Sequence, residues 1–431
     1  MTRETIVRKG WCPGARRPMQ AKDGLLVRLR ISGGIVPAAT MRGLAQAGRA
    51  HGNGLFDLSA RANLQIRGVR GESLPLLIET LEALGLLDDN AAAEAVRNVL
   101  VSPLAGLDGR TDTHKAAKVL EAALAANKDL HALPTKFGFL IDDGSTLSLG
   151  AVPADIRFDW TGGEQPFAIG IGGNAHEAIF LGLCGADDIP DIASRLAQAF
   201  LRLGSQMAEP PRRMRGLMES CGAAAIAALA GLRPAAPQKS GGAIEEPCPV
   251  GLLRFDDRYC FGAGATFGRL DANMLDAAAR AGEIFGTGEI RLTPWRALIL
   301  PHVQEQHAGA LRAYFAAQGF IVDRGDARLA VAACGGASTC ERGTTNTRSD
   351  ALALMPFARS LCMTGVALHV SGCTKGCARQ AATPFTLIAH AGRYDLVVDG
   401  TAFDAGTNDA KRLDLAAARE TLESMARNAG R

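Results

Sequence analysis

Four cysteines near the end of the chain have a spacing that could bind an inorganic cluster. Two are separated by five residues, and after about thirty residues two more are separated by three, each pair beside glycines. Iron–sulfur clusters are held by cysteine thiolates, and glycine allows the backbone to approach the sulfides closely because it has no side chain. Structural zinc usually takes pairs separated by about two to four residues, so it fits this set of cysteines less well. Disulfides and unrelated buried thiols would also account for cysteines here. The spacing favours a [4Fe-4S] cluster on Cys334, Cys340, Cys373 and Cys377.

A polar segment in the first part of the chain is a second candidate site. Its alternating polar residues are Arg61, Asn63, Gln65 and Arg67. On a β-strand, residues two apart share one face, so a strand here would carry two guanidiniums and two amides together. Arginine binds carboxylates through two parallel hydrogen bonds, which makes this face a candidate carboxylate site. Solvated arginines on an edge strand are the alternative.

Two further polar features are interpreted as structural. Arg212, Arg213 and Arg215 form a basic group that is typical of a solvated helix face. His369 lies in an apolar stretch before the second cysteine pair. A strand histidine with satisfied hydrogen bonds explains it better than metal ligation does.

The elements that must position these residues occur twice in the chain. In each copy an alanine-rich amphipathic stretch predicts a helix, which leads through a glycine turn into a strand, a short break and another strand. Matching residues lie 234 positions apart: Gly54 and Gly288, Leu58 and Leu292, Ser59 and Thr293. The constant register indicates duplication of one α/β unit, with chance similarity as the alternative.

The repeat divides the chain into five parts. A longer α/β segment follows each copy, and a stretch rich in proline, glycine and alanine joins the two halves. The cysteines fall only in the last part. The predicted parts are a first half-domain (15–90), a first larger α/β domain (91–235), a linker (236–249), a second half-domain (250–315) and a second larger α/β domain (316–431).

Composition excludes several classes of protein. The 431 residues are 47% hydrophobic and 21% charged, as in an ordinary globular protein. A net charge of +3 is too small to indicate nucleic acid or an anionic membrane as a partner. No run of eighteen apolar residues predicts a membrane span, and the polar start predicts no secretory signal. Ten cysteines without such a signal favour a reducing compartment, so we expect a cytoplasmic protein.

The repeat, the cysteine set and residues 59–68 together resemble the sulfite and nitrite reductase superfamily over nearly the whole chain. The resemblance implies an α+β fold with a duplicated architecture. Two ferredoxin-like half-domains would pair about a pseudo-two-fold axis, and two larger α/β domains would flank them. The second larger domain would hold the [4Fe-4S] cluster.

Further segments resemble one branch of this superfamily, which hydroxylates precorrin-3A in oxygen-dependent cobalamin biosynthesis. They are residues 10–14 with 23–29, and residues 369–378 with 394–396. In that branch the second cysteine pair reads Cys-x-Lys-Gly-Cys. This chain has the same pattern, with Lys375 at the lysine position. The assimilatory reductases tend to carry asparagine at that position.

The resemblance also implies catalytic residues and one departure from the reductases. Those enzymes surround their small anion with two arginines and two lysines. Arg61, Arg97 and Lys136 correspond to three of these positions, whereas the second lysine is replaced by Gly138. Loss of a cation beside a small dianion would weaken its binding, and glycine would open space. Sulfite or nitrite reduction is therefore disfavoured.

The implied reaction is hydroxylation of the tetrapyrrole at C-20 by dioxygen, with a γ-lactone formed from the ring A acetate. An NAD(P)H-linked or ferredoxin-like donor would supply electrons, and a second iron centre, non-haem, is associated with the branch. The alternatives are a sirohaem-dependent sulfite or nitrite reductase and a non-catalytic iron–sulfur electron carrier. The expected substrate-binding rim comprises Arg61, Asn63, Gln65, Arg67, Arg97 and Lys136.

Overall fold

The computed structural model describes residues 13–107, 111–164, 166–232, 246–255, 257–361, 365–406 and 412–429. Residues 236–245 of the predicted linker and the opening segment up to Cys12 lie outside these ranges. Within them, helices combine with four β-sheets, which confirms the predicted α+β class. None of the helices in this part of the chain is long and apolar enough to cross a bilayer.

The first copy of the repeat has five strands and two helices, and four of its strands lie in one antiparallel sheet. Its elements are β1 (Met19–Ala21), β2 (Gly24–Leu29), β3 (Ile35–Pro37), α1 (Ala38–His51), β4 (Leu55–Leu58), β5 (Leu64–Val69) and α2 (Leu74–Ala83). Helix α1 buries Met41 and Leu44 completely on one face. The turn before β4 places Gly54 at a φ of +74°, a left-handed conformation that glycine adopts without strain.

The first larger unit is a five-stranded sheet covered by helices. Its elements are α3 (Ala91–Val96), β6 (Val99–Val101), α4 (Thr113–Ala126), β7 (Phe139–Asp142), β8 (Ala154–Trp160), β9 (Phe167–Gly173), β10 (Ile179–Cys184), α5 (Ile189–Gly204) and α6 (Met214–Leu229). The strand order is β10-β9-β8-β7-β6, with β6, β7 and β8 parallel. Strand β7 is buried along its whole length, as expected for a parallel strand inside a sheet.

The second copy of the repeat forms a sheet of the same kind. Its elements are β11 (Gly251–Phe255), β12 (Arg258–Gly264), β13 (Arg269–Asp271), α7 (Ala272–Phe285), β14 (Glu289–Leu292), β15 (Ala297–Leu300) and α8 (Ala308–Ala317). Phe261 of β12 stacks on Phe315 of α8, with 5.8 Å between the ring centroids. This contact packs α8 against the sheet that contains β12.

The last unit carries the four cysteines. Its elements are β16 (Val331–Ala333), α9 (Thr347–Leu361), β17 (Leu368–Ser371), β18 (Thr383–His390), β19 (Arg393–Gly400) and α10 (Leu415–Ala429). Strands β16, β17 and β18 are parallel, and β19 is antiparallel to β18. Cys334 follows β16 and Cys373 follows β17. Because the carboxyl ends of parallel strands meet at one edge of a sheet, the two loops converge.

The two copies of the repeat exchange a strand and share one core. Strand β3 pairs with β14, and β13 pairs with β4, so each copy completes the sheet of the other. The left-handed conformation of Ala62 (φ +53°) recurs at Arg296 (φ +59°), 234 residues later. A single apolar cluster spans both copies and includes α1 and α7. These features confirm the predicted duplication.

Candidate active site

One large cavity lies where all four units meet. Its volume is about 1830 Å³, well above the roughly 300–1,000 Å³ of ordinary ligand pockets. Arg61 lines it from the first copy, Lys136 from the first larger unit, Trp295 from the second copy and Cys377 from the last unit. A cavity of this size and origin suits a large ligand rather than a small anion.

The cysteine loops converge beside this cavity. The backbone N–H of Gly372 donates a hydrogen bond to Cys334 Sγ (3.1 Å), and all four cysteines are free thiols. Burial raises the pKa of the Cys377 thiol, and the charges of Cys334, Cys373 and Cys340 raise it further. The four thiols are therefore close enough to interact electrostatically. Lys375, between the last two cysteines, opposes this rise in pKa.

The backbone around these thiols is packed too closely for side chains. A Cβ added at Gly372 would lie 3.3 Å from Cys334 Sγ, and one added at Gly343 would lie 2.4 Å from the carbonyl carbon of Gly336. Four free thiols with an N–H···S hydrogen bond and slim backbone fit an iron–sulfur cluster. Within the described ranges, no three His, Cys, Asp or Glu side chains lie close enough together to bind a single metal ion. A four-iron cluster keeps its thiolates farther apart than one ion does.

Three of the residues that the resemblance assigns to the anion site come together at the cavity wall. Arg61 Nη2 donates a hydrogen bond to the carbonyl of Lys136 (3.0 Å). A Cβ added at Gly138 would lie 3.8 Å from Arg61 Nη1, so no neighbour crowds this position. Arg61, Lys136 and Gly138 all line the cavity, as does Asn63. The glycine leaves open space at the position where the resemblance to the reductases implies a second lysine.

Arg97 also lines the cavity, but carboxylates already neutralise it. Its Nε donates to Asp88 (2.8 Å), and Glu121 lies 3.5 Å from its Nη1. Burial alone would lower the pKa of Arg97, but the hydrogen bond to Asp88 and the charge of Glu121 outweigh it and raise that pKa. Burial in turn raises the pKa of the Glu121 carboxyl. Arg97 therefore has little capacity left for a ligand.

The predicted polar strand face differs from the structure. Strand β5 begins at Leu64, and Arg61 and Asn63 lie in the turn before it, because Ala62 adopts a left-handed conformation. Gln65 and Arg67 do lie on β5, where both are buried, but they are absent from the cavity wall. The four side chains therefore do not share one face.

Arg67 instead connects the first copy to the first cysteine loop. Its Nε donates to Asp23 Oδ2 (3.1 Å), and its Nη2 donates to the carbonyl of Thr339 (3.1 Å), next to Cys340. The guanidinium is thus committed to a buried ion pair and to the loop backbone. Its contact with Thr339 spans 272 residues of sequence, so no local pattern could reveal it.

Asp57 is a half-buried hub of ion pairs that the sequence did not indicate. It accepts from Arg269 Nε (2.7 Å) and Arg348 Nη2 (2.8 Å), and Arg67 lies 3.7 Å away. Burial would raise the pKa of Asp57, but the arginines, Arg348 first, outweigh it and lower that pKa. Arg348 belongs to α9 of the last unit, and Arg269 belongs to the second copy. One carboxylate therefore holds three units together.

His369 does not have the satisfied hydrogen bonds expected from the sequence. It is fully buried on β17, and neither ring nitrogen has a hydrogen-bond partner among the described residues. Burial lowers the pKa of His369 to about 4, helped by the charges of Arg296 and Arg379. The imidazole is therefore neutral at physiological pH.

The basic group at the start of α6 lines the cavity, and Arg212 and Arg215 are also exposed, as expected for a solvated face. Arg212, Arg213 and Arg215 all line it; Arg213 pairs with Asp155 (3.0 Å) and Arg215 with Glu177 (2.8 Å). Six cations of the wall, Arg212 among them, have no carboxylate partner among the described residues. They are Arg28, Lys136, Arg212, Arg296, Arg324 and Lys375.

Arg296 links this cationic wall to the second cysteine loop. Its guanidinium donates to the carbonyl of Ala378, the residue after Cys377. Burial and the charges of Arg348 and Arg379 lower the pKa of Arg296 to about 10, so it stays charged at neutral pH. Its counterpart in the first copy is Ala62, so the repeat gave no signal for a cation here.

The paired half-domains and the cysteine loops define the class of protein. The family described as nitrite/sulfite reductase ferredoxin-like half domain matches residues 17–84 and 255–318. The structure of the Mycobacterium tuberculosis NirA protein superposes with a TM-score of 0.77 at 21% identity, covering 94% of this chain and 80% of that one. The fold is that of the nitrite and sulfite reductases, which confirms the predicted architecture.

Relatives of known name give the family within this class. The chain is 30% identical over 403 residues to a precorrin-3B synthase of Sinorhizobium sp., covering 92% of this chain and 84% of that protein. A ferredoxin–nitrite reductase of Synechococcus elongatus is 26% identical, with coverages of 86% and 77%. The chain belongs to the precorrin-3B synthase family.

Proposed function

We propose that this chain catalyses the precorrin-3B synthase reaction, in which dioxygen hydroxylates precorrin-3A at C-20 and the ring A acetate closes a γ-lactone. The observation that carries the proposal is the cavity. It is large enough for a macrocycle, its wall holds cations that no carboxylate of the described residues pairs with, and it opens beside the cysteine loops. A tetrapyrrole is a broad apolar ring edged with carboxylates, which is the complement of such a wall.

The cofactor that we propose is a [4Fe-4S] cluster bound by Cys334, Cys340, Cys373 and Cys377. When bound, it would supply electrons one at a time. The N–H of Gly372 would stabilise negative charge on the Cys334 sulfur, and Lys375 would do the same for Cys377. Thiol-held clusters persist in reducing compartments, which supports a cytoplasmic location.

The chain's own residues would bind and orient the macrocycle. We propose that Arg61 and Lys136 hold substrate carboxylates at one wall, with Asn63 beside them, and that Arg296 holds one near Cys377. Each charge-assisted hydrogen bond contributes roughly 1.5–3 kcal/mol. Arg97 would position its neighbours Asp88 and Glu121 rather than bind substrate. We assign no substrate contact to Gln65 and Arg67, which are outside the cavity wall.

The remaining requirements concern electrons and oxygen. Hydroxylation places one oxygen atom of dioxygen in the substrate and reduces the other to water, which takes two electrons and two protons from outside the chain. A ferredoxin-like or NAD(P)H-linked donor would supply the electrons. A second, non-haem iron is associated with the branch that the sequence resembles, but the described residues offer no ligand set for it.

Turnover with labelled oxygen tests the proposal. Anaerobically purified protein is mixed with precorrin-3A and a reductant, exposed to ¹⁸O₂, and the product is analysed by mass spectrometry. The proposal predicts a tetrapyrrole that carries one labelled oxygen atom. An unchanged tetrapyrrole, together with electron uptake by sulfite or nitrite, would instead support the sirohaem-dependent reductase. An unchanged tetrapyrrole without such uptake would support the electron carrier.

A further inference from the structure

An exposed aromatic ring stands at the wall of the cavity. Among the exposed large apolar side chains of the described ranges, Phe403 is the most exposed, at 60% of its surface. It is also the only one of them that lines the cavity. Phenylalanine normally buries its ring, so this exposure inside a binding site calls for an occupant.

The turn that carries Phe403 is fixed by hydrogen bonds. Thr401 Oγ1 accepts from the N–H of Phe403 (3.2 Å) and donates to Asp404 Oδ2 (2.8 Å). The N–H of Thr401 donates to the same carboxylate oxygen (2.8 Å). These bonds hold the pKa of the Asp404 carboxyl below its usual value. The ring is therefore presented by a closed turn rather than by a loose loop.

The same turn is packed against the second cysteine loop. Ala402 is completely buried, and a Cβ added at Gly376 would lie 3.2 Å from the Cβ of Ala402. Gly376 immediately precedes Cys377, and both Cys377 and Phe403 line the cavity. The position of the ring is thus tied to the position of the thiol.

We propose that Phe403 contacts the apolar face of the macrocycle and holds it against the cysteine loop. The proposal rests on the proposed function, and it adds a specificity-determining residue to it. Cations can bind the carboxylates at the edge of a tetrapyrrole, but they cannot recognise its face. An aromatic ring does so by covering apolar surface and by offset stacking. A small oxyanion would gain nothing from this contact.

Binding measurements on variants test the proposal. Precorrin-3A is titrated anaerobically into wild-type holoprotein, Phe403→Ala, Phe403→Leu and Phe403→Trp, with binding followed by absorbance. Loss of the ring should raise Kd about tenfold. The leucine variant should fall between alanine and wild type, and the tryptophan variant should bind at least as tightly as leucine. The KM for precorrin-3A should rise with Kd, while kcat falls less.

Two controls separate this effect from damage to the fold. Val398→Ala removes an apolar side chain of β19 that is 51% exposed and lies outside the cavity wall, and it should leave Kd unchanged. Iron, sulfide and the unfolding midpoint should stay the same in every Phe403 variant. If wild type binds precorrin-3A and Phe403→Ala binds it equally well, the inference about Phe403 is overturned, while the proposed function stands. If wild type does not bind precorrin-3A, the proposed function is overturned, and the inference with it.

Discussion

The two larger units share four strands with the same directions, yet only the last unit carries thiols in the loops that follow its first two parallel strands. In each unit three parallel strands are followed by an antiparallel one, β6-β7-β8-β9 and β16-β17-β18-β19. In the first larger unit, the residue after β6 is Ser102, and its N–H donates to the carbonyl of Ile141 on β7. In the last unit, the residue after β16 is Cys334, and its N–H donates to the carbonyl of Val370 on β17. Ser102 therefore stands where the second unit has its first cysteine.

The side chains at this position even accept equivalent hydrogen bonds. The N–H of Asp143 donates to Ser102 Oγ (2.9 Å), and the N–H of Gly372 donates to Cys334 Sγ (3.1 Å). In the first unit the adjacent Asp142 completes the network by accepting from Ser102 (2.9 Å). Burial raises the pKa of Asp142, and hydrogen bonds oppose that rise. One strand end is thus closed by hydrogen bonds, whereas the other leaves its thiols available.

The half-domains attach the two larger units by different chemistry at equivalent positions. Asp57 of the first copy pairs with Arg348 of the cysteine-bearing unit (2.8 Å). Its counterpart 234 residues later is Arg291, which donates to the carbonyls of Pro103 (2.9 Å) and Ala105 (2.8 Å) in the first larger unit. The duplicated scaffold therefore keeps the geometry of attachment while it changes the sign of the charge. The comparison links the proposed cofactor site to particular replacements, such as Cys334 at the position where the first larger unit has Ser102.

The largest effect should come from removing one thiol. Cys373→Ser should abolish the cluster absorbance and turnover, because a four-thiol site loses a ligand. Iron and acid-labile sulfide, measured on anaerobically purified protein, check this expectation. Cys221→Ser, on α6 and outside the cavity wall, is the matched control and should keep both. A full four-iron complement in Cys373→Ser would refute the ligand assignment.

The attachment of the cysteine-bearing unit can be broken at Asp57. Asp57→Asn should cost roughly 3 kcal/mol of unfolding free energy, the low end for a buried ion pair, since it removes the carboxylate that faces the buried Arg67 and the half-buried Arg269 and Arg348. The lowered pKa means that the folded protein keeps this carboxylate charged, so the contribution is present above about pH 3.8 and is lost as pH falls below it. Denaturant titration measures both. Asp276→Asn, in a surface pair with Arg49, should cost less than about 1 kcal/mol; equal costs would contradict the hub.

A smaller, acid-dependent effect is expected at His369. Its pKa is about 4 when folded and 6.5 when exposed, so the unfolded chain binds the proton first as pH falls. Stability from the neutral imidazole is complete above pH 6.5 and declines by up to about 3 kcal/mol toward pH 4. His369→Leu should reduce this decline, as followed by urea unfolding at several pH values. His176→Leu, at an exposed site, should not change it; an identical acid response in both variants would show that His369 is not the cause.

The smallest of the four effects concerns the cavity wall. Arg61→Ala should weaken precorrin-3A binding about tenfold, because a charge-assisted contact to a carboxylate is lost. Equilibrium titration checks this value. Arg312→Ala, in a surface pair with Asp323 away from the cavity, should bind as wild type does. Equal affinities in all three proteins would mean that Arg61 is a surface residue without a role in binding.

Much of the architecture could be predicted because its signals are local or periodic. The repeat shows in the constant distance between Gly54 and Gly288, and the cysteine spacing marks the loops after β16 and β17. The polar alternation from Arg61 to Arg67 misled, because a left-handed Ala62 breaks the strand without the usual glycine. Whether the four thiols bind a cluster stays a prediction.

Contacts between distant segments could not be predicted. Asp57 meets Arg348 across 291 residues, and Arg97 is neutralised by Asp88 and Glu121 only once the chain has folded. Sequence patterns identify arginine as a carboxylate ligand, but they do not show whether a protein carboxylate already occupies it. Burial and pairing decide that, and both depend on tertiary structure.

We propose above all that the thiols of the last unit hold the resident cluster, while the cavity receives its tetrapyrrole as a substrate. The most direct test is the optical spectrum of anaerobically purified protein, combined with an assay of acid-labile sulfide and extracted pigment. We expect cluster absorbance, acid-labile sulfide matching a [4Fe-4S] cluster in each chain, and no sirohaem. Sirohaem absorption bands, with the pigment recovered in proportion to protein, would contradict this proposal and make the cavity a cofactor site.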